Sequence, residues 1–365
     1  MSGQRVIALL GRPDAPTDAV EEYCRHLSEA LVAEGFELTI ERVAWPESGW
    51  TRAVSALRRR AKGWRGAWVL VQYTALAWSA RGFPLRFTRV LKTLKAAGVR
   101  VGMVFHDIEP FNGTRLIDGL RRRAQLHVMR QALRLSDAPV FTVPMENISW
   151  VKRRAGKGCF IPVGANLPVS AGATSRNGIS TGGKLSVAVF GITGGPSGSW
   201  EIENIVEAVR FVASRVGNLR LIVFGRNAQS AEAELRERLR DSAVELHVLG
   251  VLPGADVVRT LSASDVLLFV RGPISTRRSS AVAGIACGLP VIAFEGPETA
   301  APVTEAGLAL FSPRKKGDLK DVLLRVLEDE HYRASLAQRS SLAQRLYFSW
   351  HAIAARYAEL LRGEK

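Results

Sequence analysis

The densest set of chemistry-bearing side chains lies in residues 271–294, RGPISTRRSSAVAGIACGLPVIAF. Its loop carries Arg271, Ser275, Arg277 and Arg278, and Ser279 and Ser280 follow where a run of small residues opens a helix. That helix is expected to end at Gly288, and Leu289-Pro290 launches an apolar strand. In a strand–loop–helix–strand unit the loop and helix start fall at the carboxyl edge of a parallel sheet. Unused N–H groups and the helix dipole favour an anion there. Guanidinium groups in the same loop make a phosphate the natural ligand, because their planar forks match its oxygens.

Other candidates stand at other strand ends. GITGGPSG, residues 191–198, follows an apolar strand and precedes a helix, so Gly191 and Gly194 could cradle a phosphate. It lacks the GxGxxG order and a lysine, and a plain tight turn fits the same stretch. Gly225-Arg226 ends the next strand and either places another guanidinium in the site or serves only as a helix-entry loop. His106-Asp107 follow the strand VGMVF, a functional position for a histidine, whereas His26 and His127 fall inside helices and are assigned to packing. Gly11-Arg12 follow the first strand, and Gln72-Tyr73 end a third as candidates for an acceptor side. Glu328-Asp329-Glu330 lies between helices and reads as a solvated triplet. No zinc spacing, Ser-His-Asp order or Walker sequence is present, and no metal ligands are assigned.

These corners need a scaffold, and the chain supplies alternating strands and helices. In the first half strands are expected at residues 5–10, 36–43, 67–73, 99–105, 139–143 and 159–162. Helices are expected at 17–34, 51–62, 84–97, 115–135 and 146–155, with Thr17 as the first N-cap. Residues 164–183 are rich in Gly, Ser, Ala and Asn without periodicity and read as a boundary. The second half repeats the alternation, with strands near 185–190, 219–224, 244–249, 265–270, 290–294 and 308–311. Its expected helices include 299–306, 331–342 and a closing run at 350–361. The expected fold is α/β, two tandem Rossmann-like doubly wound domains facing across a cleft. The expected division is an acceptor-binding domain at 1–165, a linker at 166–183, a donor-nucleotide domain at 184–346, and a helix at 347–365 crossing back to the first domain.

Composition limits the alternatives. At 365 residues, with 47% hydrophobic and 23% charged residues, the chain suits two globular domains. Cys24, Cys159 and Cys287 have no paired or metal-like spacing and read as unpaired thiols of a reducing compartment. No leader-like start or membrane-length apolar run is seen, so a cytoplasmic or peripheral protein is expected. The net charge of +16 is uneven: residues 1–165 hold 26 Lys and Arg against 14 Asp and Glu. The densest tracts are 58–65, 121–123 and 152–154, and with Trp50 and Trp64 nearby they fit attachment to an anionic membrane surface. A solvated basic face in an arginine-preferring protein explains the same surplus. Nucleic acid is not expected as a partner, since no aromatic stacking motif is interleaved with the basic residues.

Several motifs together resemble the GT-B glycosyltransferases, most closely the retaining family 4. PTDAVEEYCRHLSEAL (residues 16–31) looks like that family's first loop and helix, and the pair His106-Asp107 matches its donor-side histidine. FIPVGANLP (160–168) is similar to the strand ending its first domain, AGIACGLPVIA (283–293) to its EAMACGLPVIA segment, and FSWHAIAARY (348–357) to its closing helix. The family's two glutamates, with seven residues between them, map onto Ser275 and Ala283, and Ile192 with the Gly-rich loop stands where its Arg and Lys pair is usual. The resemblance implies a retaining, metal-independent glycosyltransferase with no separate cofactor. Its donor would be a UDP-, GDP- or ADP-sugar and its acceptor a glycan or polyprenyl-linked glycan. Diphosphate binding would pass to Arg226, Arg271, Arg277, Arg278, Ser279 and Ser280. Arg277 and Arg278 would neutralise the leaving diphosphate, His106 would hydrogen-bond the sugar, and the Gly11-Arg12 loop would close over the transfer point. Loss of both glutamates also fits a catalytically inactive GT-B protein that binds or regulates another transferase.

Overall fold

The structure, a computed structural model, describes residues 3–14, 18–151, 158–168, 184–315 and 317–363. The chain divides into two compact units: Met1–Pro162 with Trp350–Lys365, and Val163–Ser349. Each contains a six-stranded sheet, and all the described strand pairs are parallel.

The first unit runs β1 (Gln4–Leu10), α1 (Ala19–Leu31), β2 (Phe36–Arg42), α2 (Trp45–Ala61), β3 (Trp68–Tyr73), α3 (Phe87–Ala96), β4 (Arg100–Phe105), α4 (Leu116–Leu135), β5 (Ala138–Phe141) and β6 (Cys159–Phe160). The strand order is β2-β1-β3-β4-β5-β6, so the direction of winding reverses between β1 and β3. β1 and β3 are almost wholly buried because helices cover both sheet faces, as parallel sheets require. α2, α3 and α4 contribute to the core on one face, which includes Leu57, Val90, Leu94 and Val128.

The second unit runs β7 (Leu185–Phe190), α5 (Pro196–Val216), β8 (Leu219–Phe224), α6 (Ala228–Leu239), β9 (Val244–Gly250), α7 (Gly254–Ser262), β10 (Val266–Leu268), α8 (Ser279–Ala286), β11 (Val291–Ala293), β12 (Leu308–Leu310), α9 (Asp318–Glu328) and α10 (Glu330–Ala343). Its order is β12-β11-β10-β7-β8-β9, which puts the reversal between β7 and β10. α11 (Trp350–Arg362) belongs to the first unit. There Tyr23 Oη donates to Tyr357 Oη at 2.9 Å, Trp68 Nε1 donates to the Leu361 carbonyl at 2.9 Å, and His26 stacks on Trp350.

Several local expectations are corrected. Residues 146–155 do not form the expected helix: Met145–Asn147 is a single 3-10 turn, and 152–157 lie outside the described residues. The stretch 299–306 holds only a 3-10 turn at Val303–Glu305. Thr17 lies outside the described residues, and Asp18 caps α1 by accepting from the N–H groups of Val20 and Glu21. Asp329 likewise caps α10 by accepting from Tyr332 N–H. Trp64 is a core residue at 4% exposure, and Trp50 stacks on Trp45 with centroids 5.1 Å apart. Neither indole is placed as a membrane anchor, because each is used in packing.

Candidate functional site

The reversal point of a doubly wound sheet leaves a crevice outside the carboxyl ends of the two central strands. Each unit places its candidate residues there.

In the first unit a cavity of about 220 Å³ opens beyond β1, β2, β3 and β4. Gly11 and Arg12 line it, with Arg42, Gln72 and Asp107. Its charges are largely balanced. Arg42 donates to the Gly11 carbonyl at 2.9 Å and to Asp18 at 2.6 Å, and also pairs with Glu21. That hydrogen bond, working against partial burial, holds the Glu21 carboxyl below the usual carboxylate range. Asp107 Oδ2 accepts from Ala75 N–H at 2.7 Å and so fixes the loop after β3.

His106 is not among the residues lining this cavity. Its Nε2 lies 2.8 Å from Gln72 Oε1, and its ring meets Tyr23 edge-on. Gln72 Nε2 donates to the Leu70 carbonyl, which fixes the amide orientation and makes His106 Nε2 the donor. Burial pulls the imidazole down to about 4, so it is neutral at pH 7. His106 is thus tied to Gln72, which with Asp107 lines the cavity wall.

In the second unit the loops after β7, β8 and β10 meet. Gly191 N–H donates to the Phe224 carbonyl, Ile192 N–H to the Arg226 carbonyl, and Asn227 Nδ2 to the Ile192 carbonyl. Gly191 has φ +81°, and a Cβ there would lie 2.8 Å from Arg271 Nη1. The glycine is what lets the Arg271 guanidinium lie across the turn. Gly225, at φ +89°, leaves room for the Phe190 ring, and Gly194 is exposed at the tip of the same loop. α5 starts immediately after it, and Thr193 N–H donates to the buried Glu201 carboxylate at 2.8 Å.

Around this turn the arginines crowd one another. Burial pulls Arg271 below the ordinary arginine value; Glu201 opposes this and the nearby Arg226 adds to it. Arg271 Nε is buried without a hydrogen-bond partner. Burial lowers Arg278 too, and Arg277 and Arg271 push the same way against Glu298. Arg278 Nε donates to the Pro273 carbonyl at 3.3 Å. Arg277 is different: it makes a bidentate pair with Glu298, both bonds 2.7 Å. Burial raises the Glu298 carboxyl but Arg277 outweighs it, and the net shift is downward, with the Ser275 hydroxyl contributing. Ser275 itself is 1% exposed, beside this pair.

α8 begins next to these side chains. Ser279 is exposed and Ser280 half-buried, and no side chain caps the helix, so its first N–H groups face outward with the positive end of the dipole. Ala283, where the resemblance implies the second glutamate, is 2% exposed in the apolar cluster under the sheet. Glu201, Glu298, Asp18 and Arg42 were missed by sequence reasoning. Glu298 and Arg277, and Arg42 and Asp18, lie at the ends of different strands, and only the strand order brings each pair together.

Residues 189–329 match the model of the family described as glycosyl transferases group 1. No curated protein matches the chain. Among solved structures, Anabaena Alr3699/HepE in complex with UDP and glucose is 16% identical and aligns over 99% of this chain and 100% of that one, with a TM-score of 0.66. Sucrose-phosphate synthase from Thermosynechococcus elongatus is 18% identical over 99% of each chain, with a TM-score of 0.68. A glycosyltransferase from Rickettsia africae ESF-5 is 11% identical over 100% of this chain and 99% of that one, with a TM-score of 0.69. The chain thus has the two-domain GT-B fold, and within its second unit residues 189–329 are similar to the glycosyl transferases group 1.

Proposed function

We propose that the chain is a retaining, metal-independent glycosyltransferase that takes a UDP-sugar as donor and a glycan or polyprenyl-linked glycan as acceptor. One observation carries this reading. At the reversal point of the second sheet, Arg271 and Arg278 are partly buried, next to an uncapped helix start, with fewer carboxylates than guanidinium groups around them. Cations held together at a cost in solvation favour an anion, and a diphosphate supplies charge and oxygens in the right measure. UDP is named because HepE was solved with UDP and UDP-glucose, and MnaA of S. aureus with UDP. The balanced cavity of the first unit suits the neutral hydroxyls of an acceptor.

In the reaction, the bond between the anomeric carbon and the β-phosphate oxygen breaks, and the diphosphate leaves with the electron pair. An acceptor hydroxyl oxygen forms the new bond on the same face, and its proton passes to the departing phosphate oxygen. Arg278, Arg271 and the α8 N–H groups hold the charge that grows on that oxygen. Arg277, fixed by Glu298, positions the loop.

Donor hydrolysis and transfer measured with UDP-, GDP- and ADP-sugars test the reading, with product anomers assigned by NMR. Turnover with one donor is expected, and Arg278→Ala should lower it about a hundredfold, the usual loss of one oxyanion-type contact. Activity of that variant within a few-fold of wild type removes the role of Arg278. Calorimetric silence toward every nucleotide sugar would favour the non-catalytic partner instead.

A further inference from the structure

α4 is oriented against the usual rule for a surface helix. Its first turns point apolar side chains outward: Leu116 is 97% exposed, Leu120 56% and Ile117 47%, with Phe111 just before them at 49%. The polar residues turn inward instead. Asp118 accepts from Arg115 N–H at 3.1 Å and from Arg121 Nη1 at 2.6 Å. Gln125 accepts from Phe111 N–H at 2.7 Å and donates to the Gly82 carbonyl at 2.9 Å. The Arg121 guanidinium lies 5.1 Å from the Phe111 ring centroid and 5.7 Å from that of Phe83. Internal hydrogen bonds therefore hold a platform whose outer surface is leucine, isoleucine and phenylalanine. Exposing these side chains gives the isolated unit nothing, and a contiguous patch of this kind marks an interaction surface.

Charge says what covers it. Residues 81–135 hold twelve Lys and Arg against three Asp and Glu, most of the chain's +16 surplus. Arg115, Arg122 and Arg123 are exposed around the apolar side chains. Apolar groups ringed by guanidinium groups match the interface of an anionic bilayer, where the chains meet acyl tails and the cations meet phosphates. We propose that Phe111, Leu116, Ile117 and Leu120, with Arg115, Arg122 and Arg123, dock the first unit on an anionic membrane surface. α4 follows β4, so its start lies at the carboxyl edge of the first sheet, the edge that bears the cavity with Asp107. The patch would hold that cavity close to lipid headgroups.

Flotation of the full chain with vesicles tests this without any nucleotide, so its result is independent of the transferase reading. The wild-type chain should float with vesicles of equal parts phosphatidylcholine and phosphatidylglycerol and not with phosphatidylcholine alone. The triple variant Leu116→Ser, Ile117→Ser, Leu120→Ser should bind at least about tenfold less, from the loss of inserted apolar groups. Arg122→Gln with Arg123→Gln should lose about fivefold per arginine, the fold-change of one headgroup attraction. All these side chains are exposed, and Val251→Ser, at an exposed position of the second unit, controls for a general loss of apolar surface. The assignment is overturned by wild-type protein that does not float, by variants that float equally well, or by equal binding to neutral vesicles. A dimer that the triple variant dissolves, without lipid binding, would overturn it in favour of a second copy of the chain.

Discussion

Arg277 and Arg278 are neighbours in sequence, yet only Arg277 forms a bidentate pair with a carboxylate. Spacing alone suggests both as diphosphate ligands, and the geometry separates an arginine held by Glu298 from one that donates to the Pro273 carbonyl. In the first unit His106 is likewise held by a neighbour, Gln72. Its imidazole is buried as the neutral form, with its value down to about 4 from an ordinary 6.5. Between those values the unfolded chain binds a proton that the fold refuses, so the stability His106 contributes falls as pH drops through the window. Comparing urea unfolding of wild type and His106→Asn at pH 7 and 4.5 isolates this group. The stability gap between them should narrow by about 2 kcal/mol at the lower pH, from the linkage of a shift of this size. A gap that does not change with pH would mean that the imidazole is not held neutral.

Among the elements, the turn between β7 and α5 is where backbone and site chemistry meet. Gly191→Ala should cost about 1–2 kcal/mol for a side chain at positive φ. Its methyl would also displace the Arg271 guanidinium 2.8 Å away. Calorimetry should therefore show weaker binding of the nucleoside diphosphate, by about tenfold or more, than a Gly217→Ala control that also has positive φ but meets nothing within 4 Å. Equal affinities would leave the turn a purely structural feature. This turn was legible in the sequence because a Gly-rich loop between an apolar strand and a helix has few other uses. The alternation of strands and helices was legible for the same reason: periodicity and punctuation are local. Glu298 beside Arg277, and Arg42 beside Asp18, were not legible, because each pair joins loops of different strands. The outward leucines of α4 escaped notice because Asp118 and Gln125 interrupt its period only once the loop at 81–83 and Phe111 are seen to claim them. Residues 146–151 failed as a helix because only one turn forms after Pro144 and the chain then leaves it.

At the scale of the molecule, the first unit is built from the two ends of the chain. α11 returns after the entire second unit and buries Ile353, Tyr357, Leu360 and Leu361. It covers α1, and its Tyr357 closes on Tyr23. Fully burying side chains of this size contributes about 1.5–3 kcal/mol each, an upper estimate against a compact unfolded chain. Ending the chain at Ser349 should then remove on the order of 5 kcal/mol from the first unit, comparable to the whole stability of an ordinary domain. The loss should be one-sided. Hydrogen exchange read by mass spectrometry should show protection falling in β1, β2 and β3, whose sheet loses its cover, while β7, β8 and β10 keep theirs. Under the proposed function, nucleotide-sugar binding to the second unit should survive the truncation and transfer should not, since the cavity assigned there to the acceptor is bounded by the loops after β1 and β3. Protection lost equally from both sheets would mean that the two units do not hold their stability separately, and unchanged protection in β1 would mean that α11 contributes little to the unit it completes.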